Sequence, residues 1–250
     1  MGRFENKVVL VTGGAGGLGR ASVLAFAAEG ASIVFSYHSS TAEAVDEVCQ
    51  QAQSLGAAIE ACRADISQSA DVTALVEAAM ARFGRIDILV NSAGLSRDDA
   101  FLSLTEDAFD EVIAVNLKGP FLVSQAVGRH MVAQDYGRII NISATTAIVA
   151  RAGNANYTAA KAGLNMLTQS MAIELGPHVT VNAVGLGFVD SPLVRTLFSK
   201  EALEEAEQSV PAQRMTSYEE TASFILMLAS DDCRFMTGQT IPFDGGRVMR

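Results

Sequence analysis

Val8-Val9-Leu10-Val11-Thr12-Gly13-Gly14-Ala15-Gly16-Gly17-Leu18-Gly19 decides how this chain folds. The near-continuous apolar run suits a strand buried on both faces, and the glycines lead directly into a helical pattern, Gly19–Glu29. Glycine lets the backbone turn tightly and approach a pyrophosphate, while the helix that follows offers unpaired N–H groups and the positive end of its dipole. A glycine run alone is commonly no more than a flexible turn. With a strand before it and a helix after it, Gly13, Ala15, Gly16, Gly17, Leu18 and Gly19 are expected to cradle a dinucleotide.

The alternation set up there continues along the chain. Strands are predicted at Lys7–Thr12, Ala31–Phe35, Ala58–Arg63, Ile86–Asn91, Arg138–Ser143, Thr180–Ala183 and Gln239–Pro242. Helical patterns between them include Thr41–Leu55, Ser69–Phe83, Thr105–Ala133 and Asn156–Leu175. This order predicts an α/β fold, a Rossmann-like doubly wound parallel sheet of about seven strands with helices on both faces and right-handed crossovers. No linker, repeat or low-complexity segment interrupts it, so residues 1–250 are expected to form a single domain. The polar stretch from Gly187 to Met215, with a helical pattern at Lys200–Gln208, reads as a lid over a cleft. Leu193, Leu197 and Phe198 are its expected contribution to a substrate pocket.

Bulk composition narrows the partners. With 49% hydrophobic and 18% charged residues, a large core is expected and disorder is not. A formal charge of −10 argues against nucleic acid and anionic membrane surfaces, since nothing offsets phosphate repulsion. Cys49, Cys62 and Cys233 show neither a disulfide framework nor a CxxC pair, and His38, His130 and His178 lack metal-ligand spacing, so no metal is expected. No signal-like leader and no run of about 18 apolar residues is visible, which predicts a cytoplasmic protein.

The second predicted strand runs out into Ser36-Tyr37-His38-Ser39. An acidic residue there would bind a ribose 2′-hydroxyl and repel a 2′-phosphate. Its absence, with hydroxyls and His38 in its place, favours NADP(H) over NAD(H), although no Arg or Lys reinforces the preference. Further on, Tyr157 and Lys161 stand four residues apart on one helical face. An ammonium beside a phenol lowers the phenol's pKa towards neutrality and makes it an acid/base for an alcohol oxygen.

Together these motifs resemble the short-chain dehydrogenases/reductases, most closely the β-oxoacyl (3-ketoacyl) reductase-like branch. The resemblance runs from VVLVTGGAGGLGR through Asn91-Ser92-Ala93-Gly94 and NYTAAKAG to VNAVGLGFVDS and FDGG. It implies that Asp65 and Ile66 contact the adenine, that Asn91, Ala93 and Gly94 line the cofactor cleft, and that Asn116 holds a relay water. It further implies that Tyr157 is the acid/base, that Lys161 grips the nicotinamide ribose, and that Gly187, Val189 and Ser191 adjoin the nicotinamide. The family habit of pairing long helices implies a homodimer or homotetramer.

Three departures qualify this. The family's second serine at the end of the fifth strand is replaced in Asn141-Ile142-Ser143-Ala144. Ser143 is the nearest candidate catalytic hydroxyl, yet strand alternation turns it away from the site unless a bulge intervenes, and Thr145 or Thr146 folding back is the other possibility. Leu186 stands where the family has proline, which loosens the start of the lid. Basic residues expected for docking acyl carrier protein are missing at 133–136 and 174–177, which disfavours that partner and favours a small-molecule ketone or alcohol. The rival readings are a cofactor-binding sensor or assembly partner with little turnover, and a non-redox dehydratase or isomerase. Ala144→Ser is expected to raise kcat on any ketone accepted; no change in a steady-state assay would mean that another donor already fills the place.

Overall fold

The computed structural model describes residues 2–197 and 199–249. Seven parallel strands lie in the order β3-β2-β1-β4-β5-β6-β7. They are β1 (Val8–Thr12), β2 (Ser32–Tyr37), β3 (Ile59–Arg63), β4 (Ile88–Asn91), β5 (Gly137–Ala144), β6 (Val179–Leu186) and β7 (Thr240–Phe243). The chain leaves β1 towards one edge, returns past it to β4 and proceeds to the other edge, so a switch point lies between β1 and β4.

Alternation along each strand divides the core. Val9, Val11, Ile33, Phe35 and Ile140 face α1 (Gly17–Ala28), α2 (Ala42–Ser54) and α9 (Tyr218–Ala229). Leu10, Val34, Leu89, Ile139 and Val181 face α3 (Ser69–Phe83), α5 (Gly119–Ala133) and α6 (Ala155–Leu175). Strands covered on both faces account for the unbroken apolar runs in the sequence.

The strand and helix expectations are met to within a few residues, with three differences. Thr105–Ala133 is not one helix: α4 (Glu106–Ile113) passes through a π turn at Ala114–Lys118 into α5. Pro120 has no N–H to return to the Asn116 carbonyl, and Gly119 N–H bonds to Ala114 O instead, which widens the turn. The sixth strand runs to Leu186, because β5 and β7 both pair with its far half. Short helix α7 (Pro192–Leu197) and α9 were not read from the sequence; α8 (Lys200–Gln208) was. For α9 the signal was present: Ser217 and Glu220 form a capping box, with reciprocal bonds of 3.1 and 3.0 Å.

At the switch point, Thr12 Oγ1 accepts the N–H groups of Ser92 and Ala93, both at 3.0 Å, and the threonine is fully buried. Thr12→Val keeps the shape, strands the Ala93 amide and leaves Ser92 N–H with Val90 O at 3.1 Å alone. Urea denaturation is expected to show a loss of about 1–3 kcal/mol with an unchanged m-value.

Candidate active site

A cleft of about 440 Å3 opens at the carboxyl ends of the strands beside the switch point. Gly13, Gly16, Gly17, Leu18 and Gly19 line it from the glycine turn; Ser36, Tyr37, His38 and Ser39 line it from the end of β2. Asp65 and Ile66 after β3, and Ala93 and Gly94 after β4, complete the walls. Tyr218, at the start of α9, also reaches this cleft and was missed from sequence because α9 was. At Gly19, a methyl would lie 2.1 Å from Gly13 O, so only glycine lets the helix start this close to the turn.

Not every expected wall residue is on the wall. Ala15 is buried in the core against α1. Asn91 donates from Nδ2 to Ser124 Oγ at 3.0 Å and to Asn141 Oδ1 at 2.8 Å, so its amide ties β4 to α5 and β5 instead of facing the cleft. Ser36 holds the glycine turn: its carbonyl accepts Gly14 N–H at 2.9 Å and its hydroxyl accepts Gly13 N–H at 3.4 Å. Burial works against the charge of Asp65, but the Ser67 hydroxyl and amide, with His38 and Lys118 nearby, hold its carboxyl below the usual range.

Deeper in, three segments converge. The π turn aims Asn116 inward, where Nδ2 donates to Leu95 O at 2.7 Å and Val112 O at 3.0 Å. Its Oδ1 is buried and has no partner among the described residues. A methyl on Gly94 would sit 2.7 Å from that oxygen and 3.7 Å from Lys161 Nζ, so the missing side chain is what leaves room between them. Lys161 is buried on α6 and donates from Nζ to Ile142 O at 2.7 Å. Buried Asn156, bonded to Arg97 O and Ala108 O, accepts Tyr157 N–H at 2.8 Å and thereby anchors the start of α6.

The electrostatics differ from the expectation. Burial, with the Asp98 carboxylate adding to it and Arg151 opposing, pushes the Tyr157 phenol up to about 12. Burial pulls the Lys161 ammonium down to about 8. Nζ stands 5.4 Å from the centre of the Tyr157 ring and bonds to a carbonyl, so the lysine does not bring the phenol towards neutrality here.

Ser143 is corrected as a catalytic candidate. Its hydroxyl donates to Asn165 Oδ1 at 2.6 Å, on the α6 side of the sheet, as strand alternation requires. Ala144 is the end of β5 and falls on the side of Ile142, which lines the cleft. A single 3-10 turn follows at Thr145–Ala147.

After β6, Gly187 N–H bonds to Phe243 O at 3.2 Å, Val189 bridges to Thr216, and Ser191 Oγ caps α7 by accepting Val194 N–H at 3.1 Å. Phe188, Val194, Leu203, Met215, Arg151 and Arg247 enclose a cavity of about 250 Å3 under this segment. Of the expected lid residues, Phe198 and the side chains of Leu193 and Leu197 lie outside the described residues.

A doubly wound parallel sheet with a glycine turn at its switch point defines the Rossmann class. The chain is also similar to known proteins along nearly its whole length. Residues 13–247 match a family model described as enoyl-(acyl carrier protein) reductase. The 3-oxoacyl-[acyl-carrier-protein] reductase FabG of Thermotoga maritima is 40% identical over 99% of this chain and 100% of its own. The (2S)-[(R)-hydroxy(phenyl)methyl]succinyl-CoA dehydrogenase subunit BbsD of Thauera aromatica is 39% identical over 98% of both. Among solved structures, levodione reductase superposes with a TM-score of 0.92 at 32% identity, covering 98% of each chain. A short-chain dehydrogenase/reductase from Serratia marcescens gives 0.92 at 34%, covering 98% of this chain and 99% of its own. The chain belongs to the short-chain dehydrogenase/reductase family, in its 3-oxoacyl reductase-like branch. It is an oxidoreductase of the kind that works on ketones and alcohols with a nicotinamide cofactor. The relatives' names run against the expectation that acyl carrier protein is disfavoured.

Lys161 also sets a pH signature. Burial holds the folded-state pKa at about 8, below the ordinary lysine value of 10.5, so between these values the unfolded chain binds more protons and stability rises with pH. Below about pH 8 the full cost of the buried ammonium weighs on the fold. Lys161→Met is expected to stabilise the cofactor-free protein at pH 7 by on the order of 1–3 kcal/mol, after allowing for the lost bond to Ile142. The gain should shrink as pH rises towards 10.5, checked by urea titration at pH 7 and 10.

Proposed function

We propose that this protein is an NADP(H)-dependent carbonyl reductase that reduces a small-molecule ketone, or oxidises the matching alcohol, with Tyr157 as acid/base. The convergence of Lys161 Nζ and the unpartnered Asn116 Oδ1 around Gly94, at the inner end of the glycine-turn cleft, carries this reading. The cleft suits a dinucleotide. A methyl on Gly16 would meet no atom within 4 Å, so the backbone lies bare for a pyrophosphate at the start of α1. Gly13, Gly16, Gly17, Leu18 and Gly19 would hold that pyrophosphate, Asp65 and Ile66 the adenine, and Lys161 the nicotinamide ribose. His38 and Ser39, with no acid beside them on the β2 edge, support a 2′-phosphate. When bound, the cofactor supplies the hydride for the carbonyl carbon.

The chain's own residues handle the proton. A phenol held near 12 is protonated at neutral pH, which equips Tyr157 to donate to a ketone oxygen. Lys161, held near 8, is the poised donor that returns a proton towards the phenolate. Asn116 Oδ1 offers an acceptor for the water that would link this pair to solvent. Residues 187–215, we further propose, form the substrate lid of one 250-residue domain. The exposed apolar side chains of Phe121 and Val132 on α5, and Met166 and Ile173 on α6, support burial in a homodimer or homotetramer. No helix among the described residues is long and apolar enough to cross a membrane. A cytoplasmic site is inferred from the three free cysteines.

The relatives' names favour a second reading, a 3-oxoacyl thioester on acyl carrier protein. Against it stand the charge of −10 and the lack of basic residues at 133–136 and 174–177. Fluorescence titration with NADPH, followed by consumption at 340 nm over a panel of ketones, tests the proposal. NADPH is expected to exceed NADH in kcat/KM. Tyr157→Phe is expected to lower kcat by about 10²–10⁴-fold with NADPH affinity held within a few-fold. Tight binding without consumption favours a sensor, solvent deuterium incorporation without oxidation favours an isomerase, and a large preference for the carrier-bound thioester over its small mimic favours the second reading.

A further inference from the structure

The loss of the serine at Ala144 leaves the carbonyl oxygen of a substrate short of one donor, and the structure narrows what replaces it. Among hydroxyls on the segments that meet near Tyr157, most are already engaged. Ser143 donates to Asn165 Oδ1 at 2.6 Å, Thr145 to Leu186 O at 3.2 Å, and Thr158 to Asn154 Oδ1 at 3.0 Å. Ser191 Oγ accepts Val194 N–H as the cap of α7, and its segment follows β6 instead of continuing from Ala144. Thr146 is different: its Oγ1 is buried and has no hydrogen-bond partner among the described residues.

An unpartnered buried hydroxyl costs free energy, and such groups in folded proteins call for an explanation. Thr146 lies two residues beyond Ala144, in the 3-10 turn that leaves β5 and packs against α6, the helix carrying Tyr157 and Lys161. Ala144 itself is on the cleft side of the strand, and Thr145 is tied across to the end of β6. The turn therefore sets one unengaged hydroxyl two residues beyond Ala144, packed against the helix that carries Tyr157. Asn116 Oδ1, likewise unpartnered among the described residues, lies beside Gly94 and Lys161, where a ligand or water accounts for it.

We infer that Thr146 is a catalytic residue of this chain, donating a hydrogen bond to the substrate's carbonyl oxygen in place of the missing serine. The inference rests on the reductase reading above. In reduction, the carbonyl carbon gains the hydride and the π pair moves to oxygen. The Tyr157 O–H bond breaks and its proton passes to that oxygen. Thr146 bonds to the oxygen's other lone pair and keeps its own proton, so it stabilises developing charge without entering the proton balance.

Thr146→Val removes the hydroxyl and keeps the shape; Thr146→Ser keeps the hydroxyl. With a ketone that the wild type reduces, Thr146→Val is expected to lower kcat by about 10²–10³-fold with KM within a few-fold, the pattern of a donor that acts in the transition state. NADPH affinity by fluorescence should stay at the wild-type value, the thermal midpoint should hold or rise because an unpartnered buried hydroxyl is removed, and Thr146→Ser should stay within about tenfold in kcat. The decisive arm is Ala144→Ser. In the wild-type background it should change kcat little, in place of the gain expected from the sequence alone, because Thr146 fills the place; in the Thr146→Val background it should restore most of the loss. Wild-type turnover that survives Thr146→Val overturns this inference and leaves the reductase reading intact. So does a large gain from Ala144→Ser alone. A wild type that binds NADPH and consumes none on the panel overturns the reductase reading, and the inference with it.

Discussion

The structure hangs on the point between β1 and β4 where the sheet reverses direction of travel. Right-handed crossovers place the helices following these two strands on opposite faces, and a crevice is left outside their carboxyl ends. Nothing in strand pairing alone holds the two loops that border the crevice. The Thr12 hydroxyl does so, by taking two backbone amides from the loop after β4. That bond brings Ala93 and Gly94 beside the glycine turn, and Gly94 in turn defines the space between Asn116 and Lys161.

Buried polar groups carry much of the positional information around this crevice. Asn91, Asn141, Ser124 and Thr168 join β4, β5, α5 and α6 in one hydrogen-bonded network. Asn182 similarly joins β6 to the approach to β7, donating to Met236 O and accepting from Gln239 N–H. Such groups are costly unless paired, so the few atoms left unpaired stand out. Two of them are Asn116 Oδ1, beside Gly94 and Lys161, and Thr146 Oγ1, in the turn packed against α6. The buried ammonium of Lys161 carries such a cost, and Ile142 O is its hydrogen-bond partner among the described residues.

How far the sequence could be read follows from the range of the forces involved. The glycine turn, the seven strands and the Tyr157–Lys161 spacing are local patterns, set by backbone sterics and by burial on both faces of the sheet. Alternation correctly turned Ser143 away, because side-chain direction in a strand is a local property. The division of α4 from α5 was missed although Pro120 marked it, and α9 was missed although Ser217 and Glu220 flagged its start. Asn91 was assigned to the cleft wall because its position in the motif is visible, whereas its partners Ser124 and Asn141 are far along the chain.

The sequence by itself determined the class of sheet, the order of its elements, the glycine cradle and the absence of a serine at Ala144. Each depends on neighbours within a turn or a strand length. Only the tertiary structure decided which hydroxyls are already engaged and which is free. Likewise it showed that the Tyr157 phenol is held high and the Lys161 ammonium low, against the expectation from their spacing. The reason is physical: desolvation and hydrogen-bond occupancy are set by atoms that meet only when distant segments pack together.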